Sequence, residues 1–481
     1  MKNKMIQQDN FFIRDWVKFS FNGVPIYLNL TADSGFKMKR ELGYGYRSFL
    51  LYFKGGYSEM NYEAKDLESI WQIINKKLGQ DKKYLLKIKN KYNKTFSTHK
   101  NFYLKLNWSK IKNLSDDELV RIFNRCVTAQ IDSCGTAHLL DAVSIEGEKI
   151  FRELLFKSLN NQEKFNKYFP ILIMPSKPAF VALQEIDLGK IKNEIKSKQG
   201  ELLNKHYKKY FWFQNSYAGS ADLSLEYFQE SLRDLKIKKS VKAANKKKLI
   251  KVLKLNSEIR NLIGLIDFCM VWQDERKANI LMAISYLSYV LQEISQRLNI
   301  DLKSLVCFSA NEAKAIKSLN DFKQSEKILK TRRAGVYFLV ERGQEKIIQG
   351  QKIKVFSAKY KKIFNPIVQN KNRITGFIAN GGTAIGRVKI CNKISDLSKF
   401  KLGDVLVTSM TRPEFLPAIK KASAIITDEG GITSHAAIIA REFNIPAVIG
   451  TKIGTKIFKD GMLVEVRANH GAIKIINYGS K

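Results

Sequence analysis

The residues best suited to chemistry lie in "ASAIITDEGGITSHAAIIAREFNIPAVIG", Ala422 to Gly450, where His435 stands between a glycine pair and an apolar run. The chain has only five histidines. "SAIITD" reads as a buried strand. Gly430 and Gly431 read as a turn needing positive φ or close backbone approach. "SHAAIIARE" reads as a helix of good formers with Ser434 or Thr433 available as cap. His435 therefore falls in the first helical turn, where unpaired N–H groups and partial positive charge favour anions and disfavour imidazolium. A neutral imidazole beside amides able to cradle an oxyanion suits accepting a phosphoryl group. Gly430 and Gly431 keep side chains clear of the incoming group, and Thr433 and Ser434 add hydroxyl donors. On spacing alone a helix-start histidine is more often a cap or a packing residue.

The elements around it belong to a glycine-rich α/β segment. Of 28 glycines, 12 lie from Gly376 onward. Short β-runs ("IGRVKIC", "GDVLVTS", "SAIITDE", "PAVIG", "MLVEVRA", "GAIKII") alternate with helical stretches at "PEFLPAIKKA" and "SHAAIIAREF". This pattern sets a domain over 373–481. Residues 1–365 read as mainly helical, with apolar residues at three- and four-residue spacing in "DLESIWQIINKKLGQ" and in the run opening "DDELVRIFNRCVTAQ". "SEIRNLIGLIDFCMVWQDERKANILMAISYLSYVLQEISQRL" reads as a buried helix or a helical hairpin, with "QDER" a polar step facing a cavity or the exposed turn of a helix. Two β-hairpins are expected, at Asn22-Gly23 in "VKFSFNGVPIYLNL" and in "GVYFLVERGQEKIIQGQKIKVF". Gly43 and Gly45 make a lone G-x-G, weak evidence for a phosphate loop.

At 481 residues the chain exceeds one core, and 44% apolar residues argue against wholesale disorder. No apolar run reaches bilayer length and no signal peptide pattern opens the sequence, so no membrane partner and a cytoplasmic location are expected. Five separated cysteines without a CxxC pair imply reduced thiols and no metal site. The net charge of +38 raises nucleic-acid binding. The excess is spread along the chain, with 16 Lys and Arg against 8 Asp and Glu from Arg373 onward. No nucleic-acid motif accompanies it, and the run Lys236–Lys254 reads as a solvated face.

The full string "TDEGGITSHAAIIAREFNIPAVIGT" resembles the phosphohistidine signature of the mobile domain of phosphoenolpyruvate-utilising enzymes, a family including phosphoenolpyruvate synthase, pyruvate phosphate dikinase and rifampicin phosphotransferase. The likeness extends through "GGTAIGRVKIC", "LVTSMTRPEFLPAIKKASAIITDEGG" and "FKDGMLVEVRANHGAIKII". It implies a multidomain α+β chain, a mainly helical N-terminal region followed by a C-terminal swivelling β/β/α phosphohistidine domain. His435 would be the phosphorylated residue, Gly430, Gly431, Thr433 and Ser434 its phosphate cradle, and Arg412 a phosphate partner. Arg441, nearly two turns past His435, is as readily a surface residue. Mg²⁺ is expected at the donor site rather than on a motif here. Neither a complete ATP-grasp pattern nor a phosphoenolpyruvate-binding barrel is legible, so the donor module is expected on a partner protein. The helical region is similar to an acceptor module for a small molecule, with His206, Tyr210, Trp212, Asp274 and Arg276 as cavity candidates. The competing expectation is a non-catalytic interaction or regulatory protein that keeps the swivelling fold without a donor site of its own.

Overall fold

The computed structural model describes residues 14–106, 108–235, 246–364, 373–431 and 434–477. The chain forms two compact units, and helices and sheets are mixed in both.

The first unit takes in Met1–Ala142, Tyr217–Gly219 and Met282–Val368. Its sheet is antiparallel in the order β1-β3-β2-β4-β5, from β1 (Trp16–Asn22), β2 (Ser48–Lys54), β3 (Tyr57–Glu63), β4 (Val336–Glu341) and β5 (Gln344–Gln349). The hairpin expected at Asn22-Gly23 is not formed. β1 ends there and helix α1 (Pro25–Leu42) begins, because Pro25 has no N–H for a ladder and its fixed φ starts a helix well. β1 pairs instead with β3, and the tight turn belongs to β2 and β3, whose Gly55 and Gly56 have φ of 57° and 88°. Between β4 and β5 the hairpin stands as expected, with Arg342 and Gly343 at φ 51° and 83°, the sign that matches strand twist. The end of that stretch, "KIKVF", continues into a helix at Lys352–Phe364. Gly43 closes α1 with φ 81°, its N–H donating to the Lys39 carbonyl, so half of the G-x-G is a helix cap.

The second unit takes in Val143–Ser216, Ser220–Leu281 and Gln369–Lys481. Its helical part includes α2 (Phe180–Lys192), α3 (Lys196–Tyr210), α4 (Leu225–Asp234) and, as far as Leu281, α5 (Ser257–Leu298). α5 is one continuous helix of 42 residues rather than a hairpin, and "QDER" is helical. Gln, Asp, Glu and Arg all tolerate a helix, and these four residues are half-buried or buried rather than forming an exposed turn of it. Residues 236–245 of the basic run lie outside the described residues.

The strands of this unit are β6 (Arg373–Thr375), β7 (Phe377–Asn380), β8 (Thr383–Ile390), β9 (Val405–Thr408), β10 (Ala424–Thr427), β11 (Ala447–Ile449), β12 (Leu463–Arg467) and β13 (Ala472–Asn477). They order as β6-β13-β12-β8-β9-β10-β11-β7. β8, β9, β10 and β11 run parallel, and every residue of β9, β10 and β11 is buried. That explains their unbroken apolar sequence, since strands covered on both faces lose the in–out alternation. Helix α6 (His435–Glu442) follows β10 and buries Ala436, Ala437, Ile439 and Ala440. No described helix is long and apolar enough to cross a membrane, and the five cysteines are buried free thiols.

Candidate active site

β9 and β10 are parallel neighbours, so the segments leaving their carboxyl ends emerge side by side. Each strand ends in a threonine that turns the chain out of the sheet: Thr408 Oγ1 donates to the Met410 carbonyl at 3.3 Å, and Thr427 Oγ1 to that of Glu429 at 2.8 Å. Asp428 ties the second exit down, accepting from Thr451 Oγ1 at 2.8 Å and from the Thr455 N–H at 3.1 Å. Gly430 adopts φ 97°, and a Cβ there would lie 2.8 Å from the Ser434 Cβ. Only glycine meets both conditions without strain.

Ser434 is the N-cap of α6, its Oγ accepting from the Ala437 N–H at 3.4 Å. His435 is thereby the first helical residue. Its Nδ1 lies 3.0 Å from Thr411 Oγ1, which comes from the segment after β9. Its Nε2 is buried, with no hydrogen-bond partner among the described residues. Burial, then the positive charges of Lys277 and Arg412, hold the imidazole well below its ordinary pKa of 6.5. With cations nearby and no acceptor in reach among the described residues, a proton on Nε2 would be unfavourable. The proton therefore belongs on Nδ1, donated to Thr411, and Nε2 keeps its lone pair.

Arg412 and Glu414, both buried, sit on the same segment with Nη1 and Oε1 3.9 Å apart. Burial raises the Glu414 pKa against the pull of Arg412, Lys277 and the Ser216 hydroxyl. Lys277 comes from α5, one turn after Asp274. Burial pushes the lysine down and the aspartate up, and the Phe180 N–H at the start of α2 donates to Asp274 Oδ2 at 2.7 Å. The site is thus a neutral nucleophilic nitrogen beside two cations and carboxyls whose charged forms burial disfavours, an arrangement suited to a transferable anion.

Of the sequence candidates, His435 and Arg412 come together. Gly431 is packed on a carboxylate: a Cβ there would meet Glu148 Oε2 at 2.7 Å. Ile432 and Thr433 lie outside the described residues. Arg441 is not a surface residue. It is 7% exposed, its Nε donates to the Ala379 carbonyl at 2.9 Å, and burial lowers its pKa to about 10 against the opposing pull of Glu148 and Glu442. Asp274 and Arg276 share α5 with Lys277, and the Trp212 ring packs on Phe180 at 5.6 Å. His206 and Tyr210 lie apart from this group. The His206 ring packs on Tyr210 and Phe228 with its pKa lowered by burial to about 4, and Tyr210 Oη donates to Asp187 at 2.8 Å. Thr411, Glu414 and Lys277 were missed from sequence. Thr411 and Lys277 each adjoin a residue that was named, Arg412 and Arg276.

The first unit holds a Ser34–His138–Asp141 array that mimics a nucleophilic triad. Ser34 Oγ already donates to the Thr31 carbonyl at 2.6 Å, and Ser34 and His138 are sealed from solvent. Its geometry is that of core hydrogen bonding. Among the described residues no three or more His, Cys, Asp or Glu side chains cluster as a metal site. Around His435 the carboxyls stand beside Lys277 and Arg412, a donor set that does not suit a resident Mg²⁺.

The chain is 41% identical over 141 residues to a probable phosphoenolpyruvate synthase of Archaeoglobus fulgidus, 29% of this chain and 19% of that protein. Over 100 residues it is 53% identical to a probable phosphoenolpyruvate synthase of Pyrococcus horikoshii, 21% of this chain and 12% of that one. An uncharacterized phosphotransferase of Bacillus subtilis is 47% identical over 107 residues, 22% of this chain and 13% of that protein. The matched stretch thus spans less than a fifth of these relatives' own length. Residues 400–471, which hold Thr411, Arg412, Glu414 and His435, match the family of the PEP-utilising enzyme mobile domain.

Proposed function

We propose that this chain is a phosphotransferase component that takes a phosphoryl group onto His435 Nε2 and delivers it to a small-molecule acceptor. Residues 373–481 act as the swivelling β/β/α domain and residues 1–365 as the acceptor module, in the cytoplasm. The donor is ATP or phosphoenolpyruvate, bound with Mg²⁺ on an ATP-grasp or phosphoenolpyruvate-binding partner protein. One observation supports this most: Thr411 occupies Nδ1 while Nε2 is left buried, neutral and without a partner among the described residues.

The step balances simply. The Nε2 lone pair forms the N–P bond as the bond from phosphorus to the donor oxygen breaks, and that oxygen keeps the electron pair. The Nδ1 proton stays hydrogen-bonded to Thr411. Arg412 and Lys277 offset the arriving charge, and Gly430 lets the loop reach α6 without strain. In the second step an acceptor oxygen attacks phosphorus and Nε2 recovers its pair. Because Nε2 is buried, the histidine segment must swing out to meet a donor, which is the motion a swivelling domain supplies.

The test is labelling of purified protein with radiolabelled ATP and, separately, labelled phosphoenolpyruvate, each with Mg²⁺, with and without lysate. Acid-labile, base-stable label that disappears in His435→Ala supports the relay, and a lysate requirement places the donor in trans. No label under any condition overturns it and favours a domain kept for binding.

A further inference from the structure

We propose that Glu414 is a counter-charge switch for the phosphorylated histidine: it partners Arg412 while His435 is bare, and takes up a proton when Arg412 turns to the phosphoryl group. This rests on the relay reading for His435.

The geometry is compact. Thr411, which holds His435 Nδ1 at 3.0 Å, precedes Arg412 in the chain, and Glu414 follows two residues on. Arg412 and Glu414 are both buried, 3.9 Å apart, and among the described residues the Glu414 carboxyl has no well-formed hydrogen bond, only the Ser216 hydroxyl facing it. A buried carboxylate normally collects such bonds, and one that lacks them is only loosely held in its charged form. His435, like Glu414, is acted on by both Arg412 and Lys277, and its Nε2 too lacks a hydrogen-bond partner among the described residues. The charged or polar groups facing Glu414 are Arg412 on its own segment, Lys277 on α5 and the Ser216 hydroxyl.

Phosphorylation of Nε2, with Nδ1 still protonated, adds one net negative charge to this enclosure. A phosphoryl group offers a guanidinium two strong acceptors, where its contact with Glu414 at 3.9 Å is a loose one. Once Arg412 moves to it, Glu414 keeps Lys277 and the Ser216 hydroxyl in a site already desolvated. Protonation is then the lower-energy answer to burial. The proton carries the charge balance of the site, so phosphorylation takes up roughly one proton in the pH range between the carboxyl's paired and unpaired pKa values. Glu414 acts through Arg412 and is a positioning residue.

The readout is infrared difference spectroscopy of the full chain, phosphorylated minus bare, loaded chemically with phosphoramidate and with phosphohistidine at His435 verified in each sample. Wild type should gain the C=O stretch of a protonated carboxyl. Glu414→Gln should not, while Glu414→Asp should restore the band at a shifted position. Absence of the band in wild type, or an equal gain in Glu414→Gln, overturns the switch even where ATP or phosphoenolpyruvate labels His435. Conversely, the expected bands with phosphoramidate, but no label from either biological donor in lysate, would uphold the switch and sink the relay. Failure of phosphoramidate to load His435 would overturn the switch as well. Should Glu414→Gln not fold, the shifted band of Glu414→Asp decides.

Discussion

Replacing Thr411 by valine keeps the side-chain shape and deletes one hydroxyl, the group 3.0 Å from His435 Nδ1. Thr411 is 1% exposed, so solvent cannot take its place directly. Leaving a buried donor unmade costs about 1–3 kcal/mol. If that bond fixes the tautomer and the ring orientation during transfer, the loss appears as a rate factor of about 5 to 150, at 1.36 kcal/mol per decade. His435 itself is only partly enclosed by accessible surface, so the lower part of that range, about tenfold, is expected. A second effect is qualitative. With Thr411 gone the two ring nitrogens compete, so phosphoryl should appear on Nδ1 as well as Nε2. The assay is the labelling rate at fixed donor, followed by alkaline hydrolysis and chromatographic separation of the two phosphohistidine isomers. Thr411→Ser should restore both rate and isomer. A valine variant that labels at the wild-type rate, wholly on Nε2, would refute the tautomer argument and leave Thr411 a packing residue.

Three further outcomes follow from the same geometry. His435 has a folded pKa below its unfolded 6.5, so the unfolded chain binds the extra proton and stability is lost as pH falls through 6.5; the acid side of the urea-midpoint profile should be flatter in His435→Gln. Gly430→Ala forces a Cβ onto φ 97° and into Ser434, which should cost about 1–3 kcal/mol in urea unfolding, whereas an unchanged midpoint would contradict the strain assigned to the turn. Arg441→Met strands the Ala379 carbonyl and removes a buried cation from beside Glu442 and Glu148, the latter keeping Arg152, so destabilisation of about 3 kcal/mol is expected by chemical denaturation, with a wild-type value refuting a structural role.

What the sequence made legible was local. The apolar runs of β9 to β11, the Ser434 cap and the start of α6 at His435 are set by residues within a few positions of one another. The second hairpin was readable because Arg342-Gly343 sits between two strand-like runs. The first was misread because Asn22-Gly23 looks like a turn until Pro25 is given its weight. The Gly55-Gly56 signal that makes the true hairpin was passed over. The site beyond His435 was hidden for another reason. Thr411 reaches His435 across 24 positions, and Lys277 across far more, so neither pairing leaves a periodic trace. Arg441 was misplaced because counting turns along a helix says nothing of the neighbouring strand β7, whose Ala379 carbonyl holds it.

The parallel pairing of β9 with β10 carries a practical meaning for engineering. Parallel neighbours must be joined by a crossover, and here the crossover is the very stretch bearing Thr411, Arg412 and Glu414. An inserted tag or a shortened connection between those strands would dismantle the chemistry along with the topology. The start of β9 is different: Leu402 is 85% exposed, and Gly403 turns there at φ 88° with open space around its Cα. A fluorophore or a spin label attached at 402 would ride at the far end of β9 from Thr411, leaving the histidine loop untouched while reporting on how its domain travels.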